Sequence, residues 1–232
     1  RDFFLGFMAE QIGDDPDLLA KITPDYPATG KRTLQDNGSW LGCLKKGNVD
    51  LIRTGIERIE ASGIRTTDGV LHEADVICYA TGFRHNDFLW PMEITGRNGQ
   101  TLRAFWGDEP AAYLGITMPG FPNLFCMYGP GTNLASDGSL IFHSECQITY
   151  IMQCIDKLIA DDLTSIEPTS DAYDTYVAEY RDEIGQMVWS HWAVKNTHYK
   201  NAKGDIHTLS PWPLHVYQSW TRAPDFEKFD LR

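Results

Sequence analysis

Ala74-Asp75-Val76-Ile77-Cys78-Tyr79-Ala80-Thr81-Gly82-Phe83 is the stretch on which the fold reading turns. From Ala74 to Ala80 it is nearly continuously apolar, as a strand buried on both faces of a parallel sheet reads. It stops at Thr81-Gly82, and the glycine there permits close backbone approach to a ligand or a neighbouring chain segment. A plain turn at a strand end gives the same residues.

Short β signals precede this stretch. Val49 to Ile52 reads as a strand, and Ile56 to Ala61 alternates into another. Gly63 to Thr67 and Val70 to His72 flank Asp68-Gly69, a strong hairpin signal. Further upstream, Asp14-Asp15-Pro16 opens a capped helix with proline in its first turn. The turn-rich segment from Thr23 to Gly30 then delivers two adjacent cations, Lys31 and Arg32, out of a loop. Arginine holds an anion with a planar fork and lysine supplies a mobile point charge, so the pair suits a phosphate; a plain solvated surface explains it equally.

Downstream, residues 83–112 read as loop, with Trp90-Pro91 and Asn98-Gly99 as turn marks. Leu124 to Tyr128 reads as a short apolar strand ending at Gly129-Pro130-Gly131. A long helix begins near Gly138-Ser139, with apolar residues at 141, 148, 151, 152, 155, 158 and 159 in amphipathic spacing. The N-terminus of such a helix exposes free N–H groups that bind phosphate, carboxylate or a carbonyl edge. The turn lacks the full GxGxxG pattern, so an ordinary strand-to-helix connection accounts for it as well. A second helix is capped by Asp171 and carries Tyr173, Tyr176, Val177, Tyr180, Ile184 and Val188 on one face. The aromatic tail from Trp189 to Arg232 is expected to pack onto the rest rather than float.

Composition narrows the function. The chain has 232 residues, 42% hydrophobic and 22% charged, which is ordinary globular usage. A net charge of −12 without a basic face argues against a nucleic-acid partner. No apolar run is long enough to span a membrane and no secretory signal is present, so a cytoplasmic location is expected. The five cysteines form no CxxC pair, and Cys78 and Cys126 sit in apolar runs where a thiol acts as a small hydrophobe. The histidines show no metal-ligand spacing, and no metal is expected.

Taken in order, several runs carry a family resemblance. These are Gly30-Lys31-Arg32, Asn48-Val49, Thr67 to Leu71, Asp75 to Phe83, Tyr113 to Ile116, Pro119 to Phe125, Gly129-Pro130 and Glu145-Cys146-Gln147. Together they resemble the C-terminal portion of Baeyer–Villiger (class B flavin-dependent) monooxygenases. The tail, with Tyr199-Lys200-Asn201 and Pro211-Trp212-Pro213, is most similar to the branch that includes 4-hydroxyacetophenone monooxygenase. The resemblance implies an α/β fold of partial doubly wound dinucleotide-binding domains with a helical, loop-rich tail. Residues 1–82 would complete an NADPH-binding domain, 83–162 would return to an FAD-binding domain, and 163–232 would form the tail.

The same resemblance implies an enzyme that uses FAD, NADPH and molecular oxygen to insert one oxygen beside a ketone carbonyl through a flavin peroxide. Arg32 matches the active-site arginine that stabilises the negative charge of that chemistry, and Lys31 the neighbouring contact to NADP. Thr81, Gly82 and Phe83 match the crossover between the cofactor domains. Gly138, Ser139 and Leu140 match the helix start that faces the flavin, and Asn133, Leu134, Ala135, Ser136 and Asp137 a loop lining the substrate pocket. Two positions depart from the pattern. Asp137 puts a charge where relatives carry more glycine, and His198 stands at the cofactor contact where the family commonly has tryptophan. The family's glycine fingerprints are absent, so the missing N-terminal half of the same enzyme is the expected partner. A nitrogen- or sulfur-oxygenating flavin monooxygenase, and a non-catalytic fragment that only packs against a partner chain, are the rival readings.

Overall fold

The computed structural model describes residues 1–33, 37–134 and 138–232. The chain divides into two compact units: residues 1–28 with 33–82, and residues 29–32 with 83–232.

The first unit opens with helix α1 (Asp2–Ile12), which lacks a side-chain cap and was not legible from residue pattern. Helix α2 (Pro16–Ile22) starts where expected: the Asp15 carboxylate accepts a hydrogen bond from Leu18 N and Pro16 occupies the first turn. After helix α3 (Ser39–Leu44) come β1 (Ile56–Glu60), β2 (Gly63–Thr66) and β3 (Leu71–Glu73), a three-stranded antiparallel sheet. The Asp68-Gly69 turn joins β2 to β3 as expected; Asp68 accepts from the Thr66 hydroxyl at 2.6 Å and from Val70 N at 3.2 Å.

Three expected strands are not formed. Residues 49–52, 74–80 and 124–128 carry no ladder. Apolarity alone does not make a strand, because each N–H and C=O also needs a neighbouring strand. Among the described residues both sheets are antiparallel and no strand pairs with these stretches. Val76 and Tyr79 are exposed in consequence, and so is Cys78, which therefore does not act as a buried hydrophobe; Cys126 does.

The second unit holds the main core. A short helix α4 (Leu102–Trp106), capped by Thr101, interrupts the expected loop and buries Leu102 and Trp106 beside Met118, Phe121 and Cys126. Helix α5 (Leu140–Ala160) begins at the expected place. Its buried face, however, is His143, Cys146, Gln147, Tyr150 and Cys154, whereas Ile141, Ile148, Met152 and Ile159 of the expected apolar stripe are exposed. Helix α6 (Ser170–Gln186) buries Tyr176, Val177, Tyr180 and Ile184 as the spacing predicts, but its cap is Thr169, with Asp171 in the first turn. Strand β4 (Ile166–Pro168) pairs antiparallel with β5 (Phe229–Leu231), and helix α7 (Leu214–Thr221) packs on α5. The tail thus packs down: Tyr199 and Tyr217 are fully buried, while Trp192 stays exposed.

One buried ion pair ties distant segments of this unit. Glu167 is 5% exposed and accepts from Arg97 Nε and from Gly120 N, both at 2.6 Å. The Arg97 guanidinium also reaches Ser165 Oγ at 3.0 Å. No described helix is long and apolar enough to cross a membrane, and no described group of three His, Cys, Asp or Glu side chains could hold a metal ion.

Candidate functional site

The loop of residues 29–32 belongs with residues 83–232, although some fifty residues of chain intervene. Thr29 sits at φ 64° and Gly30 is buried, so the chain turns sharply before Lys31 and Arg32. Lys31 is half-buried and Arg32 exposed. The charge of Arg32 acts on His198, which lies far along the chain. Burial first, and then the charges of His85 and Arg32, hold the His198 imidazole below the ordinary histidine range. The His85 and His198 rings lie 4.4 Å apart between centroids, tilted by 39°. His198 in turn rests on the buried Tyr199 ring at 4.1 Å, and Phe83 meets His85 edge-on at 6.3 Å.

One guanidinium and one imidazole, from two separate segments, thus act on a second imidazole from a third. Among the described residues no carboxylate contributes to the shift of His198. A fixed cation whose charge reaches a pair of N–H-bearing rings favours an oxyanion. His85 was not singled out by the sequence; it lies two residues past Phe83, and no spacing rule marks it.

The second constellation is the start of α5. Gly138 has φ 107°, and a Cβ there would collide with the Leu214 side chain and approach that of Leu134, so only glycine fits. Ser139 is extended and its hydroxyl accepts from Phe142 N at 3.3 Å. The N–H groups of Leu140 and Ile141, ahead of the first intrahelical bonds, are the helix's free donors. Both residues are exposed.

A dense polar core fixes that helix end. His143 is fully buried and stacks on Tyr217 at 3.8 Å. Burial pushes its pKa down to about 4, so it is a neutral ring near pH 7. Gln147 accepts from Tyr128 N at 2.8 Å and donates to Tyr217 Oη at 3.0 Å, while Tyr217 Oη donates to the Leu114 carbonyl at 2.7 Å.

Asn133 is held from three sides. Its N–H donates to the Thr208 carbonyl and its own carbonyl accepts from Ser210 N, both at 2.8 Å, while the Tyr128 hydroxyl donates to Asn133 Oδ1 at 2.7 Å. Leu134 N donates to the same hydroxyl at 3.3 Å. Ala135, Ser136 and Asp137 lie outside the described residues. The preceding Gly129 has a packing role: its backbone runs against the Gly115 carbonyl, leaving no room for a side chain.

The expected site residues therefore fall into groups. Phe83 and His198 meet His85, the charge of Arg32 acts on His198, and Lys31 is adjacent to Arg32 in the loop; Leu134 approaches Gly138, which leads into Ser139 and Leu140 at the helix start. Thr81 and Gly82 are exposed and end the first unit, with Gly82 at φ 82°.

No family model matches the chain. It is 38% identical over 230 residues to an uncharacterised monooxygenase of Sinorhizobium fredii, covering 99% of this chain and 34% of that protein. A Baeyer–Villiger monooxygenase of Pseudomonas aeruginosa is 32% identical over 217 residues, 94% of this chain and 41% of its own length. An FAD-binding monooxygenase of Aspergillus niger is 38% identical over 155 residues, 67% of this chain and 25% of its own length. Among solved structures, an oxidised steroid monooxygenase bound to NADP superposes with a TM-score of 0.82 at 29% identity, over 99% of this chain and 45% of that one. The chain thus spans less than half the length of each of these relatives.

Proposed function

We propose that this chain is the C-terminal portion of an FAD- and NADPH-dependent Baeyer–Villiger-type monooxygenase, which inserts one oxygen atom of O2 beside a ketone carbonyl. The observation that carries the reading is that Arg32, His85 and His198 belong to one unit, with the two imidazole rings 4.4 Å apart and the charge of Arg32 acting on His198. The similarity to enzymes named as monooxygenases, Baeyer–Villiger and FAD-binding ones among them, supports it. Placement in the branch of 4-hydroxyacetophenone monooxygenase rests on the tail residues alone.

The residues fit the two cofactors. The oxyanion donor set of Arg32, His85 and His198 suits the phosphates or the reacting end of a nicotinamide dinucleotide, and Lys31 adds a second cation beside it. The free N–H groups of Leu140 and Ile141, with the positive end of a 21-residue helix behind them, suit the carbonyl-bearing edge of a flavin. When bound, the flavin supplies the electrons that activate dioxygen.

What this chain contributes is charge and position. The planar, delocalised guanidinium of Arg32 stabilises negative charge that develops during oxygen transfer. A preorganised donor of this kind is worth about 3 kcal/mol when aimed at the reacting oxygen. His198, resting on Tyr199 and held below its ordinary pKa, offers a largely neutral N–H at pH 7 and so orients the cofactor without competing with Arg32 for charge. Asn133 and Leu134, fixed through Tyr128 and the 208–210 segment, form one wall of the substrate pocket.

The apolar segments that find no ladder partner, 74–80 and 124–128, complete parallel sheets with the rest of the polypeptide in this reading. Residues 1–82 then finish the NADPH-binding domain, 83–162 the FAD-binding domain, and 163–232 wrap as the tail. Offering a ketone and a thioether together to the longer enzyme tests the assignment. Ester or lactone as the main product supports it; sulfoxide alone would reassign the site to heteroatom oxygenation.

A further inference from the structure

Away from the residues above, the second unit carries an open groove of about 680 Å³. It lies between the first half of α6, the end of α7 and the 225–228 turn, with Tyr113 and Tyr150 in its floor. That is the size of a small-molecule site. Four aromatic rings face it, Tyr113, Tyr150, Tyr176 and Trp220, with Tyr113 and Tyr176 edge-to-face at 5.6 Å and Tyr176 and Trp220 at 6.5 Å. Tyr150 and Tyr176 are more than nine-tenths buried, and neither hydroxyl has a hydrogen-bond partner among the described residues. A buried hydroxyl without a partner costs free energy.

The rim has one dominant sign. Asp171, Glu179, Asp225 and Glu227 line it against a single lysine, Lys228, which is itself 3.7 Å from Asp225. The negative field reaches the floor: burial first, then the charges of Asp225 and Glu179, push the Tyr113 phenol up to about 12. Aromatic faces with carboxylates at their edge are the chemistry that recognises an ammonium group, by attraction to the ring quadrupole and to the acids together.

We propose that this groove binds an organic cation, an ammonium carried on a small apolar body. The groove includes neither Arg32, His85 and His198 nor the exposed start of α5, and it stands whether or not the oxygenase reading does.

Isothermal titration of the 232-residue chain with choline and with its neutral carbon isostere, 3,3-dimethylbutan-1-ol, tests it. Choline should bind at least about tenfold more tightly than the isostere, the margin expected of a cation–aromatic and carboxylate contact. Glu179→Gln and Asp225→Asn, both at exposed positions, the latter keeping a side-chain oxygen to cap the 226–228 turn, should each weaken choline about threefold and leave the isostere unchanged. Equal affinity for the two probes, no detectable binding of either, or choline binding indifferent to both substitutions would each overturn the proposal.

Discussion

His143 is the residue with the least ordinary surroundings. It is fully buried, and both ring nitrogens lack a partner among the described residues. Its folded pKa, about 4, lies below the ordinary 6.5, because burial disfavours the imidazolium. The unfolded chain therefore takes up a proton first as the pH falls. The stability from the neutral ring is whole above pH 6.5 and is lost as the pH falls towards 4, at most about 2 kcal/mol of it between pH 7 and 5. His143→Phe keeps a ring on Tyr217 and removes the titration. Urea midpoints at the two pH values should therefore diverge less in the variant than in the parent; identical divergence would show that another group carries the pH dependence. Burial also lowers the pKa of His207, which adds to the loss in the same direction. Little of this was legible in the sequence. A histidine on a helix reads the same whether it is buried or solvated, and the fold decides by laying Tyr217 on one side of it. Arg32 was legible only through the run Gly30-Lys31-Arg32 and the motifs that follow, and His85 not at all, because its meaning comes from a residue over a hundred positions away.

At the scale of elements, the start of α5 is the most sharply specified feature. Ser139→Ala removes the side-chain cap of the helix and should cost about 1 kcal/mol. Gly138→Ala should cost more, about 2 kcal/mol or above, because a left-handed φ and a clash with Leu214 act together. Thermal unfolding of the two variants checks the order, which reverses if Gly138 is merely a hinge. Local signals were readable at this scale. The Asp15 cap, the Asp68-Gly69 hairpin and the onset of α5 depend on a few neighbouring residues, and all three formed. What failed needed distant partners. The stretches at 49–52, 74–80 and 124–128 are apolar enough for strands but have no ladder among the described residues. On α5 the regular isoleucine and methionine stripe faces outward, because the mixed face of His143, Gln147, Tyr150 and Cys154 packs under α7 and the 113–128 loop, where Tyr217 and Tyr128 meet Gln147. Spacing shows that a helix has faces; it does not show which face the rest of the chain will cover.

For the whole molecule, the exposed apolar side chains belong to one account. Phe3, Val76, Phe83, Ile141 and Ile159 are each more than 60% exposed. A monomer seldom leaves so many large hydrophobes in water, and in our reading the remaining length of the enzyme covers them. The isolated chain should then self-associate, and light scattering should give a mass above 26.3 kDa that falls towards it in mild detergent. A monodisperse monomer without detergent would count against this. The central claim is that this chain brings the arginine of a Baeyer–Villiger site to cofactors held jointly with the rest of the polypeptide. Arg32→Ala in the longer enzyme tests it most directly, with NADPH consumption and ester formation followed in the same reaction. NADPH should still be consumed while ester formation falls by at least about a hundredfold, the loss expected on removing a preorganised charge from oxygen transfer. Ester formation at the parental rate would contradict the account.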